Sequence, residues 1–238
     1  MAAGTLSGAG YFMGERMMPP TPGNPKGYFE AFDIESINEE LLAQVTPSRP
    51  QGILRFLFRH RPTRSQRWLA QVSPEIAIPC PPKIKAKIQK LTSVQPYCFK
   101  DPRFCYTLPA WVPMLNNTVF ICVFRHPSDT AISILKECQR EPYLSNLSIN
   151  FRGAIHVWSL MYTHILTKHK SHGKWLFLHF NQILTKSGIY SMENFIQAEV
   201  NKNFPDPNLR RSRSDFSPGK TADKIYQELC MMANYRDI

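Results

Sequence analysis

The sequence predicts an α/β fold, a central parallel sheet with helices on both faces. Three observations carry this. The run Val119-Phe120-Ile121-Cys122-Val123-Phe124 is continuously apolar and rich in β-branched and aromatic residues, which suits a strand buried on both faces. Pro127, Ser128 and Asp129 follow at once, and these residue types begin helices. Strand-like and helix-like stretches then alternate towards the end of the chain. With 238 residues, 43% of them hydrophobic, the chain suits one such domain spanning 1–238.

Taken in order, residues 17–30 (MMPPTPGNPKGYFE) read as a loop, because Gly and Pro punctuate them. A helix is expected over DIESINEELLAQV (33–45). Residues 46–82 contain repeated prolines and the basic, aromatic stretch RFLFRHRPTRSQRW, which suits either a substrate-facing lid or a solvated basic helix. IKAKIQKL (84–91) is amphipathic at helical spacing, and YCFK (97–100) is a second expected strand. After Pro127, Ile132, Leu135 and Cys138 recur every three residues and predict the buried face of a helix. A long helix is expected over 151–169, a third strand at KWLFLHF (174–180), and closing helices at 191–200 and 221–233. Between the last two lies the basic loop PDPNLRRSRSDFSPGK.

The junction at Arg125 is the first candidate site. Ligands of open α/β sheets bind at the carboxyl ends of strands, where a helix N-terminus offers free N–H groups. Arg125 adds a planar fork suited to phosphate oxygens, and Ser133 two helical turns on adds a hydroxyl. On mechanics alone a second reading stands equal to it: Arg125 pairs with a carboxylate, and Ser133 bonds within its own helix.

A net charge of +11 points to an acidic partner, whether nucleic acid, phosphate, acidic sugar or membrane surface. The six cysteines form no CxxC pair and read as reduced thiols. His164, His169 and His172 lack metal-ligand spacing and suggest an exposed basic helix end, so no metal is expected. No stretch is long and apolar enough to span a bilayer, and no signal-peptide pattern opens the chain, so a cytoplasmic location is expected. The acceptor patterns at Asn116 and Asn146 are then chance matches.

Several segments together resemble the sulfotransferase family, in particular its bacterial-type branch. GNPKGYFE (23–30) and KDPR (100–103) are similar to two of that branch's segments. FRHPSDTAIS (124–133) looks like the arginine-to-serine segment that holds the donor's 3′-phosphate, with Arg125 and Ser133 at the matching positions. LHFNQIL resembles the strand and turn that often end in YEDL, with Phe180 for Tyr and Asn181-Gln182 for the acidic pair. DPNLRRSRS resembles the late basic segment that contains Arg213. The resemblance implies a P-loop-like three-layer sandwich. It also implies 3′-phosphoadenosine 5′-phosphosulfate as co-substrate and a hydroxylated, amine or carbohydrate acceptor.

One part departs from that pattern. The family's phosphosulfate loop lies between a first strand and a first helix; here only Gly4-Thr5 resembles it, with three residues before it. The expectation is therefore a domain incomplete at its N-terminus, impaired in transfer, with Gly4 and Thr5 as remnants of the nucleotide site. Glu30 is the candidate general base and Lys100 the candidate charge stabiliser. Lys26 is a further candidate for the second role. Two other readings remain: a catalytically inactive sulfotransferase-like binding protein, and a basic nucleic-acid-binding protein using Arg210, Arg211 and Arg213. The second lacks any recognisable nucleic-acid module.

Overall fold

The computed structural model describes residues 2–21, 24–209 and 214–236. Among these, strands β1 (Val119–Phe124) and β2 (Lys174–His179) form a two-stranded parallel sheet, with Val119 opposite Lys174 and Phe124 opposite His179. Parallel strands need a long crossover. Here it consists of helices α5 (Pro127–Arg140) and α6 (Phe151–His164), followed by a π-helical turn at Ile165–His169.

Continuous apolarity has its expected consequence: both faces of the sheet are covered. Cys122, Phe124 and Phe177 pack with Ala131, Trp158 and Leu229 from α5, α6 and the last helix, α9 (Lys220–Met232). Ile121, Val123, Leu176 and Leu178 face the other way, onto Ile183 of α7 (Phe180–Ile183) and Ile189 and Met192 of α8 (Lys186–Ile196). The short helix α1 (Ala2–Leu6) joins that second cluster through Leu6. A third cluster unites α2 (Phe32–Leu42), α3 (Pro82–Thr92) and α4 (Phe104–Trp111), and it reaches the sheet through Phe120 and Trp175. No helix among the described residues is long and apolar enough to cross a membrane. All six cysteines are free.

The expected strand at 97–100 is reduced to a single parallel bridge between Phe12 and Tyr97. The Phe12 amide donates to Pro96 at 2.8 Å and the Cys98 amide to Phe12 at 2.9 Å. Pairing stops there because the opposite chain turns away at Gly14, whose φ of 128° is open to glycine and strained for other residues. The buried face of α5 also differs from expectation. Ala131 and Ile134 are buried, whereas Ile132, Leu135 and Cys138 are half-buried. His164 and His169, expected at an exposed helix end, are both 4% exposed.

Candidate functional site

Arg125 stands at the carboxyl end of β1, where a helix begins. His126 caps α5 by accepting from the Ser128 amide at 3.3 Å, and Pro127 opens the first turn without leaving an orphan N–H. The Arg125 guanidinium lies 3.4 Å from Asp129 Oδ2 and 5.3 Å from the centre of the Phe180 ring, which opens α7 after β2. Ser133 lies a further turn along α5 and is exposed. Residues four apart share a helix face, so Asp129, which the Arg125 guanidinium meets from before the helix, and Ser133 lie along one side of α5. The late loop runs past the same place: Ser128 Oγ donates to the Phe216 carbonyl at 2.7 Å, and Phe216 packs on Phe151 at 5.5 Å. Arg213, with Arg210 and Arg211, falls outside the described residues.

Behind Arg125 is a ring cluster that the sequence reading did not foresee. His179 ends β2 and stacks on Tyr235 at 3.9 Å, with its Nε2 3.3 Å from the Tyr226 hydroxyl. His126 meets the Tyr226 ring edge-on at 4.9 Å. Asn181 Nδ2 donates to the Tyr235 hydroxyl at 2.7 Å, so a residue in place of an acidic one anchors the chain's last described segment. The available signal was a histidine at the end of β2 and another two residues past the end of β1.

The candidate base and the candidate charge stabiliser are brought together: Lys100 Nζ forms an ion pair with Glu30 Oε1. Lys100 is the more exposed partner, its side chain 41% accessible against 12% for Glu30. Phe29, immediately before Glu30, has φ 56°, a left-handed conformation that costs a non-glycine residue energy. Its ring meets Phe204 edge-on at 5.2 Å, a contact that supports this bend. Lys26 does not join the pair. It donates to the Phe204 carbonyl at 2.7 Å and sits 3.6 Å from Asp206.

Next to Lys100, the rest of KDPR turns inward. Arg103 is 2% exposed and donates to Asp101, Glu39 and Glu35 at 3.2, 2.9 and 3.2 Å. Burial pushes the Asp101 carboxyl up to about 6, with Arg103 opposing and Glu30 adding to the rise. Glu35 is raised by burial in the same way, against the pull of Arg103.

Gly4 and Thr5 lie within α1, under Phe204. A Cβ at Gly4 would collide with that ring, and the Thr5 hydroxyl, 0% exposed, donates to the Ala2 carbonyl at 2.6 Å. As placed, the hydroxyl is turned into the core. Phe204 touches both Gly4 and Phe29, so these residues and the 24–30 loop share one region. No cluster of His, Cys, Asp or Glu among the described residues is arranged to hold a metal ion. Comparison with family models, curated proteins and solved structures gives no match for the chain.

Proposed function

We propose that the chain is a sulfotransferase-like protein that binds the 3′-phosphate of 3′-phosphoadenosine 5′-phosphosulfate at Arg125. The proposed architecture is the P-loop-like three-layer sandwich in a single domain. The observation that carries the reading is Arg125 at the carboxyl end of a parallel strand, beside a helix start. Asp129 holds the guanidinium in place in the unliganded protein. An arriving phosphate offers a doubly charged, three-oxygen acceptor that competes well with one carboxylate. Arg213 keeps its proposed role at the nucleotide through the family resemblance alone.

In this reading the Glu30–Lys100 pair serves the transfer step. Lys100, the more accessible partner, turns to the developing negative charge of the transferring group. Glu30 then accepts the proton of a hydroxyl or amine acceptor. Gly4 and Thr5 contribute backbone only, since the Thr5 hydroxyl is already bonded.

The inward hydroxyl of Thr5 and the ring over Gly4 favour a second reading, a nucleotide-binding protein without transfer activity. Calorimetry with adenosine 3′,5′-bisphosphate tests what the two readings share. Arg125→Ala is expected to weaken binding about tenfold to a hundredfold, the worth of a charge-assisted phosphate contact. Adenosine 5′-phosphate is expected to bind the parent as poorly as the bisphosphate binds the variant. Equal bisphosphate affinity in variant and parent refutes the assignment. Donor-dependent sulfation of hydroxylated and carbohydrate acceptors, lost in Glu30→Gln, separates the enzyme from the binding protein.

A further inference from the structure

We propose that residues 51–57 seat this protein on an anionic lipid bilayer surface. Every residue from 51 to 57 is exposed, and Ile53, Leu54, Phe56 and Leu57 are 83%, 52%, 59% and 73% accessible. Four large apolar side chains together in water are an unusual surface, and contiguous patches of this kind mark interaction sites. Three are carried on a single 3-10 turn, Gly52–Phe56, and Leu57 caps its end.

The loop beneath them is built, not loose. Arg49 reaches across its base, donating from Nε and Nη2 to the Arg61 carbonyl at 2.9 and 2.7 Å. Nη2 also meets Gln66 Oε1 at 3.2 Å. The Ser148 amide donates to the Arg59 carbonyl at 2.9 Å, tying the loop to the segment before α6. Loops closed at the base in this way hold their tips in a fixed conformation. The apolar tip is therefore presented in advance, and its ordering cost falls on folding rather than on binding.

Charge identifies the occupant. No Asp or Glu occurs between Glu40 and Glu75, whereas Arg55 lies within the tip and Arg59, Arg61 and Arg64 follow within seven residues of Leu57. None of these four forms an ion pair with a carboxylate among the described residues. Arg55 and Arg61 lie over the Phe56 and Phe58 rings at 4.8 and 4.2 Å, so their charged ends stay beside the apolar groups. A second copy docked face to face would set this basic rim against itself, because a two-fold contact pairs the same patch with its own image. A polyanion such as a nucleic acid satisfies the arginines and leaves Ile53 and Leu57 in water. An anionic bilayer satisfies both: acyl chains accept the tip and headgroup phosphates accept the rim.

The test is vesicle sedimentation with the full chain. Vesicles of phosphatidylcholine with phosphatidylserine are compared with phosphatidylcholine alone. Binding to the anionic vesicles is expected, falling as salt rises, with little binding to the neutral ones. Arg55→Glu with Arg64→Glu is expected to lower the partition by on the order of tenfold or more. Ile53→Ser with Leu57→Ser is expected to lower it to a similar degree at both low and high salt. These side chains are exposed, so melting curves are expected to match the parent's. Absence of anionic preference, or parent-like binding by both double variants, overturns the proposal. So does self-association of the parent that the serine variant abolishes without any vesicle binding. Nucleotide affinity is read separately, so failure here leaves the Arg125 assignment standing, and the reverse.

Discussion

The Arg103 guanidinium is wrapped by carboxylates from two other places in the chain. Glu35 and Glu39 come from one face of α2, and Asp101 comes from the residue but one before it. Arg67 completes the cluster, meeting Glu39 Oε2 at 2.8 Å and Thr46 Oγ1 at 3.1 Å. Burial is the main reason that the Asp101 and Glu35 carboxyls rise; Arg103 pulls both down, while Glu30 adds to the rise of Asp101 and Glu39 and Glu30 to that of Glu35. Replacing Arg103 with Leu leaves those carboxylates without their main counter-ion. A loss of about 3–5 kcal/mol in urea denaturation is the expected result, since an orphaned buried charge costs far more than an intact pair contributes. A loss below about 1 kcal/mol would show the cluster to be well solvated. KDPR therefore divides by role: Lys100 faces out to Glu30, and Asp101 and Arg103 hold the core together. That division was not legible in four letters, because two of the three acids that claim Arg103, Glu35 and Glu39, lie more than sixty residues earlier.

At the scale of elements, two contacts show packing overruling local preference. Gly188 sits in the first turn of α8, where Thr185 caps the helix by accepting its amide at 3.2 Å. Alanine at an ordinary helical glycine stabilises by up to about 1 kcal/mol. Here the added Cβ would collide with the Gln182 carbonyl oxygen and lie 2.5 Å from its carbon. Backbone cannot swing aside as a side chain can, so Gly188→Ala is expected to destabilise by about 1–3 kcal/mol. A raised melting temperature would overturn this. The second contact concerns α4, a helix with no periodic signal in the sequence. Pro109 lies inside it and has no N–H for the Cys105 carbonyl one turn back. His169 supplies the missing donor, with Nε2 2.8 Å from that oxygen. Long periodic stretches such as 84–91 and 221–233 fell close to where their spacing put them. The short apolar helix had no local signature, and the local strand signal at 97–100 could not show that its distant partner pairs with it at one residue only. The Arg125 junction was legible because strand end, arginine and helix start are contiguous. The ring cluster of His126, His179, Tyr226 and Tyr235 is assembled across the fold and was not.

At the scale of the whole molecule, two histidines, one ending α6 and one ending the π-helical turn after it, bind separate parts of the structure to the crossover. His164 Nε2 meets the Val72 carbonyl at 2.9 Å, and His169 Nε2 meets that of Cys105. Their rings lie 6.3 Å apart. Burial lowers both from the ordinary 6.5, and the backbone hydrogen bonds only partly offset it. Lys168 disfavours the charged form of His164 in addition, and His164 and His172 that of His169. As pH falls through 6.5 the unfolded chain therefore takes up protons that the folded chain refuses. Stability from these two groups is full above 6.5, declines on acidification, and is lost once pH passes their folded values. Asp101 and Glu35 act in the opposite sense, since their raised carboxyls bind protons more readily when folded. The histidine part is isolated by variants rather than by the shape of one curve. Glutamine places an N–H donor near the position of Nε2 and does not titrate. The double variant His164→Gln, His169→Gln is thus expected to lose less stability than the parent between about pH 7.5 and about pH 5.5. Denaturant midpoints across that range give the comparison directly. Parallel pH profiles would mean that both rings take up protons in the folded state as freely as in the unfolded one. The link from α6 to Val72 and α4 would then be a solvated contact rather than part of the core.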